Sequence, residues 1–148
     1  VVRAMEGKTI PVYGDGRQVR DWLHVDDHAE ALLLVLQKGR LGETYCIGGD
    51  STHRNLEVIQ MLCAELDRLA PANTPHADKI TFVADRPGHD FRYSIDAAKL
   101  KAELGWEPAT PLSEGLAQTV AWYVENRDWW QAIRDKGFHS ERLGLAKG

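Results

Sequence analysis

Two arginines, a histidine and an asparagine are the side chains in this sequence best suited to hold an anion. Arg20 follows a Gly-rich turn, Gly14-Asp-Gly16, and Arg86 stands in the turn Asp85-Arg-Pro-Gly-His89. A guanidinium presents its donors as a planar fork that matches a phosphate or a carboxylate. His89, on the same turn as Arg86, adds a further donor. Asn55 stands at the start of a predicted helix, where its side-chain oxygen can cap the backbone while its amide points outward. A helix N-terminus also favours anions. The same residues have an ordinary structural reading. Arg20 can pair with Asp21 or Asp85, Arg86 with Asp90, and Asn55 can be a plain N-cap. Residue types and spacing leave both readings open.

Other chemistries find less support. His24 and His28 lie four apart, but on a predicted strand and a predicted helix, so they need not share a face and no metal site is expected. Asp26 and Asp27 between them read as helix-start residues matched to the helix dipole. Tyr13, Trp22, Tyr45 and Tyr93 could stack a base or a sugar, or simply fill core. No Ser/His/Asp or Cys/His arrangement stands out. The tyrosines Tyr13, Tyr45, Tyr93 and Tyr123 are followed four residues later by Arg17, Gly49, Ala97 and Arg127, so no Tyr-x-x-x-Lys pair exists. There is no three-glycine dinucleotide turn and no P-loop, and Gly48-Gly49 lacks a third glycine.

The elements that must position these residues alternate between strand and helix. Residues 1–7 read as the tail of a helix closed by Gly7, so the chain is expected to be a piece of a longer protein. Strands are expected at 9–13, 19–25, 43–47 and 79–84. The Pro11 in the first suggests a sheet edge or a strand start. A helix at 26–38, apolar without interruption from Ala31 to Leu36, is expected to be covered on most sides, with Gly39 and Gly42 ending it. The helix at 55–70 places Ile59, Leu62, Cys63, Leu66 and Leu69 on one face and stops at Pro71. Residues 72–78 read as a loop. A short helix at 96–104 has Asp96 as cap and Gly105 as stop. The helix at 113–126 carries Leu112, Leu116, Val120, Tyr123 and Val124 on one face, with Trp129 and Trp130 as a possible continuation, and residues 143–148 read as a loose tail. The fold class is α/β, short strands alternating with helices in one domain over 1–148.

Composition narrows the class of partner. The 148 residues are 43% apolar and 27% charged, enough for a core, and the net charge of −4 argues against nucleic-acid binding. An anion site here must therefore be a local cluster of arginines. Cys46 and Cys63 show no zinc or disulfide spacing and read as buried thiols in a reducing compartment, which points to the cytoplasm. No apolar run reaches membrane length.

Several motifs together resemble a known family. Pro11-x-Tyr-Gly-Asp-Gly with Arg20-Asp-Trp22, Val25-x-Asp27-His-Ala29 and Glu43-Thr-Tyr-x-Ile-Gly-Gly49 resemble the C-terminal part of extended short-chain dehydrogenase/reductases acting on nucleotide sugars. Asp85-Arg-Pro-Gly-His-Asp90 with Arg92-Tyr93, then Leu104-Gly-Trp-x-Pro108 and Trp122-Tyr123, are similar to the dTDP-glucose 4,6-dehydratases within it. The resemblance covers nearly the whole chain, to about Phe138.

The resemblance implies an enzyme that holds NAD in an N-terminal Rossmann domain absent from this chain. That enzyme oxidises C4 of dTDP-glucose, eliminates water across C5 and C6, and returns the hydride to C6, on a route to rhamnose and other deoxysugars. It implies that Arg20, Asn55, Arg86 and His89 bind the pyrophosphate, and that residues 9–11, including Pro11, and Tyr13 line the thymidine. It also implies a homodimeric full-length parent, no membrane partner, and catalytic residues upstream of this chain, so that this piece alone is inactive. A relative using another nucleotide, such as a UDP-sugar epimerase or decarboxylase, and a non-catalytic remnant are the alternatives. The remnant would expose an apolar face that includes part of the 31–36 helix. Cys46 stands where the family commonly has Asn, a change expected to concern packing, and residues 140–148 contain no Tyr.

Overall fold

The computed structural model describes residues 1–137, so the expectations on the tail at 140–148 lie outside it. Its elements are α1 (Val2–Met5), β1 (Ile10–Tyr13), β2 (Val19–Asp21), α2 (Val25–Lys38), β3 (Thr52–Arg54), α3 (Asn55–Leu69), β4 (Ile80–Val83), α4 (Ala98–Leu104), α5 (Leu112–Glu125) and α6 (Arg127–Asp135). Two small sheets result: β1 lies parallel to β4, Ile10 opposite Ile80, and β2 lies antiparallel to β3, Arg20 opposite His53. Residues 91–93 run beside β2, with the Val19 N–H donating to the Phe91 carbonyl (2.8 Å) and the Tyr93 N–H to the Val19 carbonyl (3.0 Å).

The amphipathic helices make the core as their periodicity requires. Leu66 of α3 and Val120 of α5 meet Ala4 of α1, with Leu62, Leu69 and Val124 packed round them. A second cluster joins Ala31 of α2, Leu100 of α4 and Trp106, flanked by Leu34, Val35, Tyr45 and Ile47. Gly105 ends α4 in the left-handed conformation (φ 70°), while Ala97 and not Asp96 takes the N-cap position; the Asp96 carboxylate, one residue earlier, accepts the Ala98 N–H at 2.9 Å.

Five expectations are corrected. Residues 43–47 form no strand, because among the described residues no backbone lies alongside to make a ladder. Cys46 is exposed, while Cys63 is buried as expected. Helix α2 is not covered on most sides: Val25, Leu32, Leu33 and Leu36 are exposed, the last 82%, which is the apolar face the remnant reading anticipated. The strand expected at 19–25 is shorter, Val19–Asp21: its pairing with β3 runs out after the Trp22 N–H meets the Ser51 carbonyl (3.0 Å), and α2 begins at Val25. The loop expected at 72–78 contains a 3-10 turn, His76–Lys79, whose buried His76 is held by Asp67 of α3, Nδ1 to carboxylate at 2.5 Å.

The C-terminal helix also divides where a continuation was expected. Asn126 ends α5 and starts α6, and Trp130 folds back to donate its indole N–H to the Tyr123 carbonyl at 2.9 Å. Buried Arg134 ties α6 to Glu6 beyond α1, its Nη2 2.9 Å from the carboxylate. Among the described residues no helix is long and apolar enough to cross a membrane.

Candidate functional site

Strand β1 alternates, burying Val12 and leaving Pro11 and Tyr13 on its other face. The turn that follows depends on its glycines for close approach. Gly14 (φ 60°) lies against the Asp85 carboxylate, where a Cβ would sit 3.0 Å from Oδ2, and Gly16 (φ 73°) lies against Leu56 and Val12 at 2.8 and 2.9 Å. Asp15 at the tip accepts from Arg17, whose Nε is 2.5 Å away, so this arginine is engaged locally. The Gly-rich turn is therefore a packing surface for two distant segments.

Asp85 is the hub. Its carboxylate accepts from His89 Nδ1 at 2.6 Å, the Arg86 N–H at 2.8 Å and Gln18 Nε2 at 2.9 Å. The His89 bond is the main reason its carboxyl is held below the usual carboxylate range, with the Arg86 N–H and Gln18 adding to it. A carboxylate only accepts, so Nδ1 of His89 carries a hydrogen, and Nε2 is the nitrogen left for another partner. The imidazole side chain is 7% exposed and meets the Tyr13 ring edge-on at 6.4 Å between centroids.

Arg20 pairs with neither Asp21 nor Asp85. Its guanidinium donates to the carbonyls of Val19 (2.7 Å) and Asp90 (2.9 Å) and lies 4.5 Å from the centre of the Tyr93 ring. The Tyr93 hydroxyl donates to the Asp90 carboxylate, and that bond is the main cause pushing the phenol pKa up, while Arg20 and Arg86 both pull it down. Asp21 instead accepts the N–H groups of Gly49 (2.8 Å) and Ser51 (2.9 Å). Arg86 does not pair with Asp90. Among the described residues its exposed guanidinium makes no hydrogen bond or ion pair.

Asn55 is the first residue of α3 and not its cap. Arg54 holds the N-cap position, its N–H bonded to the Glu57 carboxylate at 2.9 Å, and the Asn55 N–H reaches the Gln18 carbonyl at 2.9 Å. The fold thus links the candidates that the sequence scatters. Tyr13, His89, Asp85, Gln18 and Asn55 form one chain of contacts, Arg86 stands on the same turn, and Arg20 holds the next residues of that segment. Pro11 shares the outer face of β1 with Tyr13.

The remaining candidates have structural duties. Asp27 is buried and accepts the backbone and hydroxyl donors of Thr110 (2.9 and 3.1 Å), so it anchors the start of α5 and does not cap its own helix. His24 precedes α2, His28 is exposed, and no metal-holding cluster exists among the described residues. Tyr45 bonds Glu103 at 2.8 Å beneath Lys99. A cavity of about 700 Å³ between Trp22, His24, Leu116, Trp122 and Trp129 contains none of the anion-site candidates. The residue that sequence reasoning missed is Gln18. A lone glutamine after a turn looks like any surface residue, and its partner is 67 positions away.

Comparison with known proteins supplies the family context. The sequence profile of the GDP-mannose 4,6 dehydratase family matches residues 1–119. A dTDP-glucose 4,6-dehydratase from Xanthomonas campestris is 53% identical over 146 residues, 97% of this chain and 42% of that protein. A solved dTDP-glucose 4,6-dehydratase from Streptomyces venezuelae with NAD and a dTDP-type ligand superposes with a TM-score of 0.79 at 45% identity, over 89% of this chain and 39% of that one. A UDP-glucose 4-epimerase from Thermotoga maritima, solved with UDP-glucose, gives a TM-score of 0.71 at 29% identity, over 84% of this chain and 38% of that one. The chain spans about two fifths of the length of the relatives it matches.

Proposed function

We propose, from the fact that this chain belongs to the GDP-mannose 4,6 dehydratase family, that it is the nucleotide-sugar-binding part of a dTDP-glucose 4,6-dehydratase. The observation that supports this reading is the run of contacts from Asn55 through Gln18 and Asp85 to His89, on the turn whose Arg86 guanidinium is unpaired among the described residues, with Arg20 bonded to the Asp90 carbonyl at its end. Such a set suits a diphosphate. Arg86 supplies a bidentate donor, His89 donates through Nε2 when its ring is protonated on both nitrogens, and the Asn55 amide adds a neutral donor. Arg20 contributes mainly by fixing the carbonyls of the segment that carries these groups. Tyr13 and Pro11, on the outer face of β1, then border the thymidine.

The sequence contains no dinucleotide-binding glycine turn, so no residue of this chain is assigned to NAD, and no chemical step is assigned to it. In this reading the oxidation at C4, the loss of water across C5 and C6 and the return of hydride belong to the remainder of a longer protein, with NAD held there. The exposed apolar face of α2 supports that reading as the surface on which the remainder packs. The parent is expected to be a cytoplasmic homodimer. Binding energy at the diphosphate handle would orient the hexose toward chemistry elsewhere.

Competition between dTDP and UDP on the full-length protein tests the assignment. Preferential binding of dTDP, with loss of one water from dTDP-glucose by mass spectrometry, is the expected result. Equal affinity would sink the thymidine assignment, and preference for UDP would favour a UDP-sugar enzyme.

A further inference from the structure

Gln18 is 6% exposed, yet it spends its one bonded amide hydrogen on a carboxylate 67 positions away and leaves its own Oε1 without a partner among the described residues. A buried amide acceptor with no partner is destabilising. The arrangement therefore favours the orientation of Asp85 over the satisfaction of Gln18. Asp85 receives two further hydrogens, from the Arg86 backbone and from His89 Nδ1. Gly14 closes the fourth side, where any Cβ would press on both Asp85 Oδ2 (3.0 Å) and Gln18 Nε2 (3.2 Å). Nothing in this set touches a diphosphate by itself, since a carboxylate would repel one. Its effect runs through the imidazole it grips.

We propose that Asp85, braced by Gln18, is a positioning residue that fixes the ring orientation of His89 through its Nδ1–H, so that Nε2, which carries a hydrogen in the protonated ring, donates to the diphosphate. The inference rests on the diphosphate reading above and adds the residues that make His89 competent for it. It also explains why the Tyr-Gly-Asp-Gly turn and the Asp-Arg-Pro-Gly-His turn occur together: Gly14 and Gln18 of the first form the seat for Asp85 of the second.

The test uses the full-length protein and compares dTDP with thymidine, which has no phosphate, as competitors. Asp85→Asn keeps the shape and removes the charge. It should weaken dTDP binding about tenfold, the scale of one charge-assisted hydrogen bond. Thymidine binding should change less than about twofold, and KM for dTDP-glucose should rise more than kcat falls. In a His89→Ala background the same change should add less than about twofold, because its route of action is gone. If Asp85→Asn folds poorly, Gln18→Met removes one of the three bonds and should give a smaller dTDP-selective loss, again absent without His89. Full additivity with His89→Ala, or equal loss for dTDP and thymidine, would overturn the positioning role. So would unchanged dTDP affinity in Asp85→Asn while His89→Ala and Arg86→Ala both weaken it. Unchanged affinity in both His89→Ala and Arg86→Ala would overturn the diphosphate reading itself, and the positioning role with it.

Discussion

Arg20 and Arg86 looked equivalent as a pair of loop arginines, and their surroundings separate them. Arg86 is exposed and unpaired among the described residues, so Arg86→Ala should weaken dTDP binding to the full-length protein by roughly 1.5–3 kcal/mol while leaving the melting temperature unchanged. Arg20 holds the Val19 and Asp90 carbonyls and stacks on Tyr93, so Arg20→Ala should lower both affinity and melting temperature. Calorimetric titration beside a thermal melt distinguishes the two, and a melt unchanged in Arg20→Ala would contradict the clamp. Gly49 shows another kind of demand. A Cβ there would lie 2.0 Å from the Trp22 carbonyl oxygen, which is backbone and has little freedom to move. Gly49→Ala should therefore destabilise the chain by about 1–3 kcal/mol or more, measured by urea denaturation.

At the scale of elements, α2 and α3 are both amphipathic but differ in what they meet. Leu66 of α3 is 1% exposed against Val120 and Ala4, so Leu66→Ala should cost about 2–5 kcal/mol of stability. Leu36 of α2 is 82% exposed, and Leu36→Ser should change the stability of this chain by less than about 0.5 kcal/mol in the same denaturation assay. A larger loss would mean that the outer face of α2 is already covered. Asp27 lies on the covered side of that helix, as Ala31 does. It is buried and bonded twice to Thr110, 83 positions away, and Asp27→Ala should cost about 1–3 kcal/mol by leaving those donors unpaired.

Across the molecule, two imidazole–carboxylate pairs hold turns in place, one against α3 and one within its own turn. His76 bonds Asp67, and His89 bonds Asp85. Both carboxyls are held below their ordinary range, Asp67 first by the His76 backbone N–H and Asp85 first by the His89 ring. A depressed carboxyl stabilises the fold above the unfolded pKa, about 3.9, and that contribution fades as pH falls through the lower folded value. Stability should therefore decline below about pH 4, and Asp67→Asn should flatten that acid limb in pH-resolved thermal melts. An acid limb unchanged in the variant would remove Asp67 from the account. The sequence alone determined what local spacing encodes. The faces of α3 and α5 and the stop at Gly105 follow from patterns a few residues long, because a helical period and a turn residue act on their immediate neighbours. Tertiary structure decided the rest. Gln18 reaches Asp85, Arg20 reaches the Asp90 carbonyl and Asp27 reaches Thr110 across 67, 70 and 83 positions, and residues 43–47 lack a ladder however well they suit one. Which backbone comes alongside, and which buried donor meets which acceptor, depends on how distant segments pack, and that approach leaves no period in the chain to read.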